Sequence, residues 1–248
     1  MIKITGLRKK LGAKQVLDGI DLEITTGETV VVLGPSGTGK SVLLKHILGL
    51  MPADEGTIEV DGENIVGLGE TALNQIRRRF GMLFQGAALF DSMTIGENVA
   101  TPLREHLELP ESEIQRLVHE RLDWVGLKNV EDHKPSSLSG GMRKRVGLAR
   151  AIVMDPQFIL YDEPTTGLDP INSDVINQLV LSMQKRLGVT SIVVTHDLQS
   201  AFKVGDRMAM LYAGKVVFSG TQEETKTTRN PFVRQFMDGS SVGPIQPV

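Results

Sequence analysis

Apolar residues recur along this chain in two patterns. Near the amino terminus, residues 2–4 and 20–24 alternate apolar with polar side chains, and this period of two predicts half-buried strands in an antiparallel layer. Residues 29–33 and 158–161 are almost continuously apolar, which is typical of buried strands in a parallel sheet, and residues 190–195 repeat the strand pattern. The pattern predicts an α/β fold with a mostly parallel sheet and an N-terminal antiparallel β layer.

Helical periodicity dominates the middle of the chain. Residues 94–105 and 111–125 are predicted to be helices, the second with its apolar side chains on one face. These helices define a predicted helical subdomain at about residues 86–138, with Trp124 in its core. Because the chain has 248 residues and 40% hydrophobic content, it can bury a sizeable core, and residues 1–248 are predicted to form a single domain around this subdomain.

The last part of the chain changes character twice. Residues 207–212 and 215–218 predict a closing hairpin. Residues 231–237 form a short amphipathic stretch, and the sequence from about 231 to 248 is predicted to be a C-terminal extension. Its glycine and proline content favours an extended chain unless it docks on another surface.

Charge and cysteine content exclude several classes of function. The chain has 30 acidic and 27 basic residues, so no overall basic field would attract nucleic acid, and no such partner is expected. It has no cysteine, which excludes disulfides, thiolate metal sites and cysteine nucleophiles. Neither an apolar signal region nor a bilayer-spanning apolar run is present, so membrane association is expected to be peripheral, through a partner.

One stretch fits the phosphate-loop pattern G-x-x-x-x-G-K-[ST]. It lies between the strand predicted at 29–33 and a helix predicted at 42–48, which is the context that the pattern needs. Glycines let the backbone N–H groups point at phosphate, the lysine reaches the terminal phosphates, and the serine hydroxyl can bind Mg²⁺. The alternative is an ordinary glycine-rich turn with a surface lysine. The predicted phosphate cradle consists of Gly34, Pro35, Ser36, Gly37, Thr38, Gly39, Lys40 and Ser41.

Two adjacent carboxylates, Asp162 and Glu163, follow the apolar run at 158–161. In a protein with a phosphate loop, Asp162 would hold a hydrated Mg²⁺, and Glu163 would orient or deprotonate an attacking water. Without such a loop, a solvated turn before Pro164 would be the better interpretation. The apolar run at 190–195 leads to His196, which is predicted to touch phosphate or water.

A second glycine-rich turn, at residues 138–142, opens another predicted helix. Ser139, Gly140 and Gly141 offer backbone N–H groups at a helix N-terminus, which suits an anion. No motif lysine accompanies them, and an ordinary serine N-cap explains the same residues. The residues alone leave both interpretations open.

Several motifs together resemble the nucleotide-binding subunit of ABC transporters over nearly the whole chain. They are, in order, the phosphate loop, Gln85, residues 138–142, Asp162 with Glu163, residues 167–169 and His196. The resemblance implies a P-loop NTPase core that binds ATP with Mg²⁺ and hydrolyses it in step with transport.

The same resemblance implies a role for each motif. Gln85 would couple Mg²⁺ and water to the transport domain, Glu163 would be the catalytic base, and His196 would contact the γ-phosphate. Asp169 joins the nucleotide-binding residues. The resemblance also implies a head-to-tail homodimer, in which residues 139–141 of one copy close over ATP held by the phosphate loop of the other. ATP binding would then itself drive closure.

Three positions depart from the family pattern. Leu11 stands where an aromatic residue normally stacks on adenine, so an apolar contact is expected there instead. Met142 replaces the common glutamine of the second turn, and Thr166 with Gly167 replaces a common Ser-Ala pair. The glycine and carboxylate positions that the chemistry requires are unchanged, so activity is expected to survive.

Four shorter segments resemble a narrower group, the ATPases of the maintenance-of-lipid-asymmetry (Mla) phospholipid transport systems and their Mce-type relatives. They are residues 84–90, 102–106, 139–142 and 233–239. This resemblance implies phospholipid as cargo, with an integral membrane permease and a periplasmic lipid-binding subunit as partners. It also implies a peripheral position on the cytoplasmic face of the bacterial inner membrane, and a C-terminal extension that clasps the neighbouring ATPase.

Two other functions remain open at this point. The core motifs are equally compatible with the ATPase of an importer for amino acids or another small solute. A soluble ABC ATPase without a permease is a third hypothesis. The single nucleotide-binding unit, the lack of a coiled-coil insertion and the lack of overall basic charge count against it.

Overall fold

The computed structural model describes residues 1–246. Pro247 and Val248, the last two residues of the predicted C-terminal extension, lie outside the described residues. The described chain forms two compact units. The first contains Met1–Asn74 and the chain from Thr190 onward, and the second contains Gln75–Val189.

The secondary structure follows the predicted order of strands and helices. The first part of the chain forms β1 (Ile2–Leu11), β2 (Lys14–Ile24), β3 (Thr29–Leu33), α1 (Lys40–Ile47), β4 (Glu55–Val60), β5 (Glu63–Asn64) and α2 (Glu70–Arg77). The second unit continues with β6 (Phe80–Leu83), α3 (Ile95–His106), α4 (Glu111–Trp124), a 3₁₀ turn (Pro135–Ser137), α5 (Gly140–Ile152), β7 (Phe158–Asp162) and α6 (Pro170–Leu187). The chain then forms β8 (Thr190–Thr195), α7 (Leu198–Val204), β9 (Arg207–Tyr212), β10 (Lys215–Thr221), α8 (Gln222–Thr227) and α9 (Pro231–Asp238).

The N-terminal antiparallel layer is present in the first unit, in the strand order β2-β1-β4-β5. Its alternating pattern corresponds to burial, because Ile2 and Ile4 are buried while Lys3 between them is exposed. Ile4 pairs with Leu22 on one side and with Ile58 on the other. Apolar side chains of three strands therefore meet on one face of this layer.

The first unit also contains a mostly parallel set of strands in the order β10-β9-β3-β8. β3 pairs parallel with both β8 and β9, and β10 closes the set as an antiparallel hairpin with β9. All residues of β3 and β8 are buried. The nearly continuous apolar runs are thus buried parallel strands, and the predicted fold class is confirmed.

In the second unit β6 and β7 form a parallel pair, and α3, α4 and α5 pack together. The two helices predicted in the middle of the chain are present within two residues of their expected ends. α3 begins with a capping box, in which Thr94 and Glu97 each bond the other's backbone N–H. The finer boundary at about residues 86–138 for a helical subdomain stays a prediction.

The predicted position of Trp124 is wrong. This residue ends α4 and is only half-buried instead of lying in the core. The guanidinium groups of Arg121 and Arg186 lie over its ring, 4.0 and 5.2 Å from the ring centroid. Cation–π contacts with these two guanidinium groups therefore cover the ring of a residue that was expected in the core.

The C-terminal extension docks on its own unit over the described residues. The side chain of Gln235 donates to the carbonyl oxygens of Ser240 and Ile245, at 3.1 and 3.0 Å. The hydroxyl of Tyr212 donates to the carbonyl oxygen of Pro244 at 3.3 Å, and its ring contacts Phe232. Among residues 1–246 no helix has the length and apolar character that a membrane span requires.

Gly81 in β6 gives a direct test of the packing in the second unit. A Cβ atom at this position would overlap the carbonyl oxygen of Ala151 in α5. We therefore expect Gly81→Ala to lower the free energy of unfolding by about 1–3 kcal/mol or more, measured by urea denaturation. Gly86→Ala is the matched control, because a Cβ there meets no described atom within 4 Å. Equal stability of the two variants would contradict the close approach of α5 to β6.

Candidate functional site

The predicted phosphate loop connects β3 to α1 in the first unit. Gly34 has a φ of +153°, and a Cβ atom there would overlap the carbonyl oxygen of Leu211. Gly39 has a φ of +101°, and its Cβ would lie 3.0 Å from the carbonyl oxygen of Val16. Both positions need glycine, because the backbone conformation and the close approaches exclude a side chain.

Lys40 is the first residue of α1 and is only 6% exposed. Its Nζ donates to the carbonyl oxygens of Gly34 and Pro35, at 2.7 and 3.0 Å. The ammonium group is thus held inside the loop, at the N-terminus of a helix whose backbone dipoles also attract anions. Ser41 follows in the first turn of the same helix. This combination of charge and backbone shape fits a chain of phosphates.

His196 lies at the same edge of the parallel strands as the phosphate loop. Leu33 of β3 pairs with Thr195 of β8. Gly34 directly follows Leu33, and His196 directly follows Thr195. His196 is exposed, and the next residue, Asp197, caps α7 by accepting from the N–H of Gln199. The structure therefore brings two of the predicted site elements of the first unit together.

In the second unit, Gln85, Asp162 and Glu163 lie at one edge of a parallel pair of strands. Leu83 of β6 pairs with Tyr161 of β7, and the three predicted residues follow these two positions. Gln85 is exposed, whereas Asp162 and Glu163 are each 8% exposed. The sequence prediction that these polar groups follow the ends of parallel strands agrees with this register.

Glu163 is held by an unusual set of contacts. Its φ is +49°, a left-handed conformation that is uncommon for residues other than glycine. Its carbonyl oxygen accepts from the Nζ of Lys144 at 2.9 Å, and its carboxylate accepts from the hydroxyl of Thr166 at 3.0 Å. Sequence reasoning gave no role to Lys144 and treated Thr166 only as a departure from a pattern.

The second glycine-rich turn is an N-cap. The side chain of Ser139 accepts from the backbone N–H of Met142, and α5 begins at Gly140. A Cβ atom at Gly141 would lie 3.1 Å from the side-chain oxygen of Asn172, so the turn packs closely against α6. The structural interpretation of this turn is therefore correct, and an additional contact with ATP stays a prediction.

Asp169 caps α6, a role that the sequence analysis did not predict. Its carboxylate accepts from the backbone N–H groups of Ile171 and Asn172. The hydrogen bond from the side chain of Asn172 lowers the pKa of Asp169, and these backbone bonds add to the effect. The carboxylate is therefore ionised at neutral pH, and its predicted contact with nucleotide stays untested.

The donor set that was predicted for Mg²⁺ consists of a hydroxyl, an amide and a carboxylate oxygen. These are hard oxygen ligands of the kind that Mg²⁺ prefers, and Mg²⁺ commonly uses one or two carboxylates together with substrate phosphates. Within residues 1–246 no group of three or more histidine, aspartate or glutamate side chains could hold a metal ion by itself.

A glycine-rich loop with a buried lysine, at the carboxyl end of a parallel strand and the start of a helix, defines the class of P-loop nucleotide-binding proteins. The carboxylates at the end of a second buried strand fit the same class.

Comparisons with known proteins specify the class further. The profile of the ABC transporter family matches residues 17–166. The probable ribonucleotide transport ATP-binding protein mkl of Mycobacterium leprae is 46% identical over 244 residues, which are 98% of this chain and 70% of that protein. The intermembrane phospholipid transport system ATP-binding protein MlaF of Haemophilus influenzae is 40% identical over 246 residues, which are 99% of this chain and 93% of that protein.

A solved structure agrees with these relatives. It is the dimeric post-hydrolysis state of an ATP-binding cassette bound to ADP and Pi, and it matches with a TM-score of 0.83 and 34% identity, covering 89% of this chain and 98% of that one. The chain belongs to the ABC transporter family, as one of its ATPases. The predicted resemblance, including the resemblance to the Mla ATPases, is confirmed.

Proposed function

We propose that this chain is the ATP-hydrolysing subunit of an ABC transporter that moves phospholipid between the inner and outer membranes. It would work on the cytoplasmic face of the bacterial inner membrane, bound to an integral membrane permease and coupled through it to a periplasmic Mce-type lipid-binding subunit. The observation that carries this proposal is the similarity to the Haemophilus phospholipid transport ATPase over 99% of the chain. The shared length leaves no large part of either protein without a counterpart.

ATP would bind with its phosphates in the loop formed by residues 34–41. The ammonium group of Lys40, already aligned by two loop carbonyl oxygens, would contact the terminal phosphates. His196 follows the strand that pairs with β3 and would contact the γ-phosphate. The adenine base of ATP would lie near Leu11, whose side chain is 43% exposed and so is accessible for an apolar contact.

Mg²⁺ would be held by Ser41, Asp162 and Gln85. When bound, the ion would supply positive charge that stabilises the negative charge developing during phosphoryl transfer. The chemistry of this oxygen donor set supports the assignment. Gln85, which is exposed and follows β6, would also couple the Mg²⁺ and the water of the nucleotide site to the permease.

Glu163 would act as the general base for the attacking water. Two features support this role, namely its position after a buried strand and the hydrogen bond that orients its carboxylate from Thr166. The proton of the water would move to this carboxylate as the water oxygen attacks the γ-phosphorus, and the bond between the γ-phosphorus and the β–γ bridging oxygen would break to release ADP and phosphate. Asp169 would contribute to the nucleotide site through the turn that it caps.

A second copy of the chain would complete the site. Ser139, Gly140 and Gly141 offer the N-terminal end of α5, a helix of 13 residues, to an anion. We infer a head-to-tail homodimer in which these residues of one copy close over the γ-phosphate held by the other. The solved cassette that is 34% identical to this chain is dimeric, which supports the homodimer.

The relative from Mycobacterium leprae favours a second candidate cargo, because its name refers to ribonucleotide transport. Affinity purification of the native protein from detergent-solubilised membranes, with mass spectrometry of the bound chains and lipids, tests both candidates. We expect a permease, a lipid-binding subunit and phospholipid. Recovery of a solute permease without lipid would instead support a small-solute importer. Recovery without any membrane protein would favour a soluble ABC ATPase.

The C-terminal extension is proposed to strengthen the homodimer by contacting the neighbouring copy. Val242 supports this proposal, because its apolar side chain is 83% exposed on a segment that is otherwise docked. A chain that ends at Gly239 keeps α9 and its Gly C-cap but loses this side chain. We expect its dimer dissociation constant with ATP, measured by sedimentation, to rise about tenfold, as the loss of one buried valine side chain predicts.

The variant Val242→Ser is the matched control for the truncation. It removes the apolar contact and leaves the rest of the segment in place, so it should raise the dimer dissociation constant by about the same tenfold factor. If the truncated chain formed dimers and complexes as the full chain does, the extension would have no role in association.

A further inference from the structure

Lys144 lies on the buried face of α5. It is separated by four residues from Leu148 and by eight from Ile152, so the three side chains share one face of the helix. All three are buried, and Lys144 is only 5% exposed. An ammonium group in such a place is costly unless it is paired and hydrogen-bonded. The groups that this ammonium contacts therefore indicate why a lysine, and not an apolar residue, occupies the position.

The ammonium group of Lys144 bonds to the main chain of Glu163. The Nζ atom donates to the Glu163 carbonyl oxygen at 2.9 Å, and the backbone N–H of Thr166 donates to the same oxygen at 3.3 Å. Glu163 has the left-handed φ of +49°. A residue other than glycine adopts this left-handed conformation only where contacts with its neighbours stabilise it, because the conformation costs free energy.

The charges around Lys144 favour the same arrangement. Burial lowers the pKa of Lys144, and the carboxylates of Glu163 and Asp162 oppose that shift. Lys144, Asp162 and Glu163 are all buried and all belong to the second unit. Removal of the cation would leave two buried carboxylates at the end of β7 without this compensating charge.

We propose that Lys144 is a positioning residue for hydrolysis: its ammonium group holds the Glu163 main chain in the left-handed conformation and thereby aims the carboxylate at the attacking water. Thr166 holds the other end of the same residue through the carboxylate oxygen. The inference rests on the proposed function of Glu163 as the general base. It adds a residue that touches neither nucleotide nor water and acts through the base.

The test uses the full chain, purified with any membrane subunits that accompany it. Lys144→Met removes the cation but keeps an apolar stem of similar length. We expect its kcat for ATP hydrolysis to fall about 10- to 100-fold, because small misplacements of a catalytic group have effects of this size. The KM for ATP should change less than about threefold, since the phosphate loop is untouched. Lys144→Arg, which retains a cationic donor, should keep a larger share of kcat than Lys144→Met.

Arg145→Met is the matched control. Arg145 is the next residue of α5 and also donates to backbone carbonyl oxygens, those of Val125 and Gly126, at 3.3 and 3.0 Å. Its replacement should leave kcat within about twofold once the folded fraction, measured by thermal unfolding, is taken into account. Equal losses in Lys144→Met and Arg145→Met would overturn the inference, and so would a kcat for Lys144→Met equal to or above that of Lys144→Arg.

Glu163→Gln separates this inference from the proposed function. If wild-type protein and Glu163→Gln hydrolyse ATP at the same rate, the proposed base is wrong, and the role of Lys144 is overturned with it. If Glu163→Gln is inactive and Lys144→Met is not slowed, only the positioning role is overturned. Should Lys144→Met fail to fold, Lys144→Leu takes its place, because leucine also lacks a hydrogen-bond donor for the Glu163 carbonyl oxygen; a wild-type kcat would then overturn the inference.

Discussion

Glu163→Gln should bind ATP with nearly unchanged affinity and hydrolyse it about 10²- to 10⁴-fold more slowly, which is the usual contribution of a general base. The amide cannot accept a proton at neutral pH, but its oxygen can still accept the hydrogen bond that Thr166 donates to Oε2. The local conformation should therefore persist. Phosphate release under saturating ATP, together with equilibrium titration of ATP, measures the two effects separately.

The control for this experiment is Glu105→Gln, a carboxylate that is exposed near the end of α3 in the same unit. This variant also replaces a carboxylate with an amide, but Glu105 does not lie at the end of β7, so its hydrolysis rate should match the wild-type rate. Turnover of Glu163→Gln at the original rate would remove Glu163 from the mechanism. A large loss of ATP affinity in that variant would assign the residue to binding instead of catalysis.

Lys40→Ala should lose most of its affinity for ATP. The ammonium group is buried inside the phosphate loop, and hydrogen bonds to charged groups contribute about 1.5–3 kcal/mol each. Loss of one or two such bonds predicts a rise in Kd of about 100-fold. The loop carbonyl oxygens of Gly34 and Pro35 also lose their donor, so the loop itself should become less ordered.

Ligand-dependent stability measures this loss without enzymatic activity. ATP at about 100 times its Kd should raise the free energy of unfolding of the wild-type chain by about 2.7 kcal/mol, whereas the same concentration should have little effect on Lys40→Ala. Lys45→Ala is the control, because Lys45 lies one turn further along α1 and is exposed. Equal stabilisation of all three proteins by ATP would show that the loop does not bind nucleotide.

Local signals made the phosphate loop predictable. The glycine spacing, the preceding apolar run and the following helix are all contiguous in sequence, and the structure uses the two outer glycines at positions that exclude a side chain. Asp162 and Glu163 were predictable for the same reason, because Asp162 ends a buried strand and Glu163 directly follows it. The long-range approach of the Leu211 carbonyl oxygen to Gly34 has no local signal at all.

Two features were missed although signals for them exist. α6 begins with the Asp-Pro pair typical of a helix start and ends before Gly188, which has a left-handed φ of +63°. Lys144 sits at helical spacing from apolar residues, and a lysine on an otherwise apolar face indicates a buried partner. That partner lies 19 residues away in sequence, so only the fold identifies it as the Glu163 carbonyl oxygen.

The expected position of Trp124 failed for a different reason. The periodicity of residues 111–125 places Ile114, Val118 and Leu122 on the inner face of α4, and Trp124 does not share their spacing. Trp124 is the last residue of α4, and the arginine side chains at 121 and 186 cover its ring. Because arginine can cover an aromatic ring as well as apolar neighbours can, sequence alone does not separate these two environments.

The crowding at Gly34 limits the ways in which mutations there can be compensated during evolution. The atom that excludes a side chain is the main-chain oxygen of Leu211, and every amino acid at position 211 carries the same oxygen. A second-site suppressor at position 211 therefore cannot make room by shortening its side chain. Gly147 differs, because a Cβ there would lie 2.9 Å from a methyl carbon of Leu83 and 3.3 Å from the carbonyl oxygen of Ala87, and a smaller residue at position 83 would relieve the tightest contact. A second substitution within the chain can therefore partly compensate for a substitution at Gly147, whereas the main-chain contact at Gly34 cannot be relieved in this way.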